Sequence, residues 1–133
     1  FWLILIFFPQ SNLSKYFVTS IFPFLLLGGA YVFMLYKSYI NVYDFGSNFE
    51  LYLSISNLST LFSNDIFLML FWIHFISINL FVGGWIVRDS EKFMINKILV
   101  GIPLIITYLI GPLGILIYWL IRIFFAKSIN LYE

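Results

Sequence analysis

The chain has 133 residues, of which 62% are hydrophobic and only 10% charged, and its mean hydropathy is +1.02. A soluble domain carries about 25% charged residues, so this composition indicates a membrane protein and excludes an ordinary soluble enzyme. Seven Lys and Arg nearly balance six Asp and Glu, which excludes the clustered positive charge of a nucleic-acid-binding protein, and the lack of cysteine excludes disulfides and thiolate metal sites.

Long apolar stretches recur along the chain at the length of a transmembrane helix. Such a helix needs about 20 apolar residues to cross about 30 Å of hydrocarbon. In chain order, the stretches that reach or approach this length are residues 1–8 (partial), 16–36, 66–87 and 98–121. We therefore expect an all-α, polytopic membrane protein with four transmembrane helices, the first one truncated, in a single transmembrane domain over residues 1–133.

The connections between these stretches differ in character. Residues 9–15 form a short polar link, and residues 88–97 a short charged one. The long connection between Lys37 and Asp65 mixes Ser and Asn with aromatic residues, which is typical of a segment at the membrane interface. Four basic residues (Lys15, Arg88, Lys92, Lys97) are expected on one side and three (Lys37, Arg122, Lys127) on the other. This count favours the first side as cytoplasmic or stromal.

The third span carries most of the polar residues within the apolar stretches. At about 100° per residue, His74, Ser77 and Trp85 fall on one face of a helix, while Trp72 and Asn79 fall on nearly the opposite face. His74 and Asn79 are therefore not expected to point at one spot in a regular helix. The two tryptophans could fill space, mark the interfaces or contact a ligand.

His74 is the only histidine, and an ionisable side chain inside a membrane is a functional candidate. It could act as a general base, or as an axial ligand to a tetrapyrrole metal through its neutral imidazole. Alternatively, it could be a neutral histidine that is hydrogen-bonded to a neighbouring helix. A single histidine cannot build a zinc or di-iron site, so no other metal site is expected.

Asn79 and the fourth span offer sites for helix packing or for a ligand. Asn79 could form interhelical hydrogen bonds or contact a ligand. In the fourth span, small and polar residues share one face: Thr107, Gly111, Gly114, Tyr118 and Arg122. Pro112 cannot donate a backbone hydrogen bond to the Tyr108 carbonyl, so we expect a kink there. The kink could serve helix packing or leave room for a flat, elongated apolar ligand.

The order of these features resembles a known family. An apolar segment closes with Phe7-Phe8-Pro9, and two motifs follow later in the chain: Trp72-Ile-His74-Phe-Ile-Ser-Ile-Asn79-Leu80-Phe81-Val-Gly83-Gly84-Trp85-Ile86-Val-Arg88-Asp89-Ser90 and Gly111-Pro112-Leu113-Gly114-Ile115-Leu116-Ile117-Tyr118. Together they resemble the abscisic acid deficient four-like family, neoxanthin-synthase-like small integral membrane proteins. This chain has Asn79 where the family usually has Asp, and Gly84 where it usually has Arg.

The resemblance implies carotenoid (xanthophyll) modification or binding in a photosynthetic membrane. That membrane would be a thylakoid or other plastid membrane, or a bacterial inner membrane, and a carotenoid or chlorophyll would be the bound pigment. Neoxanthin formation opens an epoxide and removes a polyene proton, which needs an acid and a base. His74 could be the base, with Tyr108 or Tyr118 as the proton donor. The residues assigned to ligand binding or helix packing are Trp72, Ser77, Asn79, Trp85, Gly111, Pro112 and Gly114.

A second interpretation is a small accessory subunit of a multi-subunit pigment-bearing or respiratory membrane complex, with no catalysis of its own. It is based on the 23% aromatic content and the small-residue helix faces. Its partners would be other membrane subunits, in addition to the lipid bilayer and an apolar pigment. The sequence leaves open whether the chain is an enzyme.

Overall fold

A computed structural model describes residues 1–40 and 53–130 of the chain. All regular structure in these residues is helical, which confirms the predicted all-α class. The helices are α1 (Trp2–Phe7), α2 (Phe22–Ile40), α3 (Ile55–Phe62), α4 (Asp65–Lys92), α5 (Lys97–Leu109) and α6 (Gly111–Ala126), with a π-helical turn at Ser14–Val18. Residues 41–52, most of the predicted interfacial connection, lie outside the described residues.

Two stretches are long and apolar enough to cross a membrane by length and composition. They are Ser14–Lys37 and Asp65–Lys92, and they coincide with the predicted spans 16–36 and 66–87. α1 has only six residues, which is too short for a crossing. Two of the four predicted spans therefore have the required length in the structure.

The predicted span 98–121 is divided into two helices, α5 and α6, in the structure. The chain leaves helical geometry at Ile110, where φ is −139° and ψ is 85°. The Ile110 N–H donates to the Ile106 carbonyl at the end of α5, and the Gly114 N–H donates to the Ile110 carbonyl at the start of α6. Because Pro112 has no N–H to bond the Tyr108 carbonyl, the helix is weakest at this point, and the expected kink is a complete break.

After the break, α6 returns along α5 as the second arm of a helical hairpin. Arg122, near the end of α6, is hydrogen-bonded to Asp89 and lies over the ring of Phe93, two residues that precede α5. Near the tip, a Cβ added to Gly114 would lie 2.6 Å from the Cα of Thr107. The C-terminal end of α6 therefore lies beside the N-terminal end of α5. In a continuous span the two would lie at opposite ends of one helix.

The helices form two compact units, Phe1–Pro23 with Ile78–Glu133, and Phe24–Ser77. The core of the first unit consists of aliphatic side chains that are at most 2% exposed, including Leu5, Val18, Leu80, Ile86 and Leu104. Packing in the second unit is aromatic. The Phe62 ring lies edge-on to Phe67 and to Phe71, with centroids 5.3 and 4.8 Å apart.

Candidate functional site

The second half of α4 supplies the central element of the first unit. Asn79, Gly83, Ile86 and Ser90 are buried, and their spacing of three or four residues places them on one helix face. α1 packs closely on this face, because a Cβ on Gly83 would lie only 2.8 Å from Cδ2 of Leu5. Two polar groups on this part of α4, Asn79 and Asp89, contact opposite ends of α6.

Asp89 forms a buried cluster with Tyr118 and Arg122, here called the Asp89 cluster. The Tyr118 hydroxyl donates to Oδ2 of Asp89 at 2.6 Å, and Nε of Arg122 donates to the same oxygen at 2.7 Å. The Arg122 and Asp89 side chains are only 1% and 9% exposed. The Trp85 ring lies edge-on to Tyr118, with centroids 5.6 Å apart, and covers the cluster.

The Arg122 guanidinium has further contacts on one side, while its buried Nη2 has no hydrogen-bond partner among the described residues. Its Cζ lies 4.7 Å from the centre of the Phe93 ring, and Nη1 donates to the Ser128 carbonyl at 3.5 Å. Because Oδ2 of Asp89 already accepts from two donors and the charges cancel, this arrangement suits the locking of helix ends better than proton transfer. The sequence places Tyr118 and Arg122 on one face, but nothing in it identifies Asp89, 29 and 33 residues away, as their partner.

Asn79 meets α6 at the helix break. Asn79 is 5% exposed, and its Oδ1 packs so closely on Gly111 that a Cβ there would displace the Asn79 side chain. Within the described part of the chain, the buried Nδ2 of Asn79 has no hydrogen-bond partner. We call Asn79, Ile110 and Gly111 the break site. Pro112 follows it and is exposed.

The two alternative proton donors, Tyr108 and Tyr118, lie in different surroundings. Tyr108 is 47% exposed at the tip of the hairpin, where its ring packs on Trp2 at 5.2 Å. Tyr118 is fully buried, and at 1.5 Å per residue it lies about 10 Å along α6 from Gly111. Its hydroxyl already donates to Asp89, whereas the Tyr108 side chain remains accessible.

His74, Trp72 and Ser77 belong to the second unit. The His74 side chain is exposed, and Trp72 is 55% exposed and stacks on Phe75 at 5.8 Å. The Ser77 hydroxyl donates to the carbonyl of Ile73 in its own helix at 2.7 Å. Among residues 1–40 and 53–130, no three His, Asp or Glu side chains are grouped so that they could hold a metal ion.

An open cleft of about 830 Å³ with a mixed polar and apolar lining lies at one end of the first unit. It contains an ion pair between Lys15 and Glu91, whose Nζ and Oε1 atoms are 3.6 Å apart. The cleft is lined by Gln10, Lys15, Glu91, Met94, Ile95, Asn96, Lys97 and Ile98. The sequence predicts no site here.

Comparison with known proteins identifies the family. The model of the family described as ABA DEFICIENT 4-like matches residues 1–118, which include the break site, Asp89 and Tyr118. The chain is also 26% identical over 125 residues to "Protein ABA DEFICIENT 4, chloroplastic" of Arabidopsis thaliana.

That alignment covers 92% of this chain and 55% of the Arabidopsis protein, so the chain spans about half the length of the curated relative it matches. No solved structure matches the chain. Because the family model covers most of its length, the chain belongs to the ABA DEFICIENT 4-like family.

Proposed function

We propose that the protein is an integral membrane protein that binds a xanthophyll and takes part in its modification. The observation that carries this proposal is the family match over residues 1–118. The relative is named as chloroplastic, which supports a thylakoid or other plastid membrane, with a bacterial inner membrane as the equivalent location in a bacterium.

The surface of the helices supports a membrane location. Large apolar side chains are exposed on several helices, among them Leu25 (64%), Phe33 (56%) and Phe124 (81%). Exposed apolar surface on this scale marks an interaction with a membrane or with an apolar partner. Lipid tails or a polyene would cover these side chains.

The proposed chemistry is an isomerisation that needs no oxidant or reductant. A base takes a proton from a polyene carbon, the epoxide C–O bond breaks as the allene forms, and the epoxide oxygen gains a proton. Tyr108 is the better proton donor, because its side chain is accessible while the Tyr118 hydroxyl is bound to Asp89. His74, whose ring is exposed, is the proposed base.

Expression in a bacterial host that accumulates an epoxidised xanthophyll tests this proposal. Extracted pigments would be separated by chromatography, and wild-type protein should produce neoxanthin. His74→Ala and Tyr108→Phe should each lower the conversion, by roughly 100-fold for a true acid or base. Tyr36→Phe, which also changes an exposed tyrosine, is the matched control. Unchanged conversion in both variants would show that His74 and Tyr108 take no part in the chemistry.

The accessory-subunit alternative is supported by the exposed aromatic side chains of α4. Phe71 and Trp72 are 40% and 55% exposed, and both stack on Phe75. A neighbouring subunit or a pigment could cover them. Native gel electrophoresis of detergent-solubilised membranes distinguishes the two interpretations, because a band at monomer size only would argue against an accessory subunit.

A further inference from the structure

The cleft at one end of the first unit is built from two parts of the chain that meet there. Gln10 and Lys15 come from the segment after α1, and Glu91 with residues 94–98 from the end of α4 and the start of α5. Its volume of about 830 Å³ lies within the range of small-molecule sites, about 300–1,000 Å³. The chemistry proposed above uses none of these residues.

Lys97 stands where a positive charge is unfavourable. It is the first residue of α5, whose first turn contains no acidic residue. The N-terminus of a helix carries a partial positive charge, which disfavours a cation there and favours an anion. In the part of the chain that the structure describes, no carboxylate forms an ion pair with Lys97, which is exposed and lines the cleft. An anion in the cleft would offset this repulsion.

Lys15 supplies a second ammonium group to the cleft. Its Nζ lies 3.6 Å from Oε1 of Glu91, which is longer than a hydrogen bond, and the two side chains are 53% and 29% exposed. An exposed pair of this kind is weak, so Lys15 can still bind another anion. With two ammonium groups and one carboxylate, the cleft has a formal charge of +1, which matches a ligand group with a single negative charge.

The cleft also has an apolar rim. Met94 and Ile98 line it and are 88% and 76% exposed. Met94 has a φ of 51° in the turn that ends α4, where its N–H donates to the Glu91 carbonyl and the Ile95 N–H donates to the Ser90 carbonyl. Glycine is the usual residue in this conformation. The chain therefore presents a flexible apolar side chain outward at a position that glycine would fit better.

An amphipathic ligand satisfies both parts of the cleft. A soluble anion would leave the apolar rim in water, and a purely apolar molecule would leave Lys97 without an anion. A phospholipid carries a negative phosphate only a few bonds from its acyl chains. α4, which ends beside the cleft, is long and apolar enough to cross a membrane. In the proposed membrane protein, the cleft therefore lies at the depth of the lipid headgroups.

We propose that this cleft binds the headgroup of one anionic phospholipid. Lys15 and Lys97 hold its phosphate, and the glycerol end of its acyl chains contacts Met94 and Ile98. Each Lys near an anionic lipid surface contributes about fivefold in affinity. The proposal rests on the membrane location in the proposed function, and no carotenoid takes part in it.

Lipid titration followed by native mass spectrometry tests this proposal, because the spectra resolve the number of lipids bound to the purified protein. Phosphatidylglycerol would be compared with phosphatidylcholine of the same acyl chains, whose choline group neutralises the phosphate. Wild-type protein should bind the first phosphatidylglycerol about fivefold more tightly than the first phosphatidylcholine. Equal affinities would overturn the proposal.

Three variants separate the charges from the rim. Lys97→Gln should lower the affinity for phosphatidylglycerol about fivefold, and Glu91→Gln should raise it by a similar factor, because the formal charge of the cleft becomes +2. Met94→Gly keeps the charges and suits the backbone, so it should weaken the binding of both lipids alike. Unchanged or weaker phosphatidylglycerol binding by Glu91→Gln would contradict the assigned electrostatics and overturn the proposal.

Lys127→Gln is the matched control, because it removes the same charge from an exposed position of the first unit outside the residues that line the cleft. It should keep the affinity of the wild-type protein, and a loss equal to that of Lys97→Gln would overturn the proposal. Displacement of the lipid by millimolar inorganic phosphate would show a site for soluble anions and overturn it too. Protein that fails to insert into lipid vesicles would instead contradict the membrane location in the proposed function.

Discussion

At the scale of single residues, the Asp89 cluster shows how this apolar chain accommodates buried charge. Two charges that are almost fully buried would be costly alone, but Asp89 and Arg122 neutralise each other, and Tyr118 adds a third hydrogen-bonding group. Removing one partner of a buried pair leaves an uncompensated charge, whereas replacing the whole set with apolar residues is often neutral or stabilising.

We therefore predict that Arg122→Met lowers the free energy of unfolding by about 3–5 kcal/mol. The triple variant Asp89→Leu, Tyr118→Phe and Arg122→Met should recover most of this loss, because no charge is then left unpaired. Denaturant unfolding in detergent, followed by tryptophan fluorescence, measures both. A triple variant as unstable as the single one would show that the apolar side chains do not pack in place of the cluster.

Two glycines in the hairpin are predicted to respond oppositely to alanine. A Cβ at Gly114 would lie 2.6 Å from the Cα of Thr107, and backbone atoms can move only if the helices separate. Gly114→Ala should therefore destabilise the protein by about 1–3 kcal/mol, as overpacking does. Gly101 in α5 has nothing within 4 Å of the added Cβ, so Gly101→Ala should stabilise it by about 0.5–1 kcal/mol. Thermal unfolding of both variants in the same detergent checks the difference, and equal melting temperatures would contradict the close approach at Gly114.

Part of this residue-scale picture could be predicted from the sequence. The shared face of Gly111, Gly114, Tyr118 and Arg122 follows from helical spacing, and all four are buried in α6. The partner of Tyr118 and Arg122 could not be predicted, because it depends on where the hairpin returns. The lack of a hydrogen-bond acceptor for Nδ2 of Asn79 likewise depends on packing and could not be predicted.

At the scale of elements, helix length and composition predict α4 well and fail for the fourth span. Hydropathy follows apolar residues, and residues 98–121 are apolar whether the helix is continuous or broken. A sequence pattern therefore gives the position of the weak point at Pro112 but not the angle through which the chain turns.

α3 was not predicted either. Its start depends on a local cap, in which the Ser54 hydroxyl accepts from the N–H of Asn57.

The hairpin can be tested by distance measurement. The chain has no cysteine, so single cysteines can be introduced for spin labels at Met94 and Phe124, which are 88% and 81% exposed. A continuous helix between them would separate the labels by about 45 Å. Since Arg122 contacts Phe93, we expect less than half that separation by pulsed electron paramagnetic resonance. A distance near the longer value would restore the predicted continuous span.

At the scale of the whole molecule, contacts within the first unit place basic residues at the same end of the unit, although the sequence analysis assigns them to opposite sides of the membrane. Lys15 pairs with Glu91, and Arg122 pairs with Asp89 two residues earlier in α4. α5 begins at Lys97, shortly after both. The hairpin therefore moves Arg122 to the side that already holds Lys15 and Lys97. For the proposed membrane protein, this would strengthen the basic bias of that side.

This arrangement predicts which positions are reached from one side of a membrane. Cysteines at Asn12, Met94 and Asn130, all exposed, should react with a membrane-impermeant thiol reagent from the same side of sealed vesicles. A continuous span over 98–121 would instead carry the chain to the opposite face, and Asn130→Cys would then react only from the other side. Labelling of Asn130→Cys therefore distinguishes the hairpin from a fourth crossing.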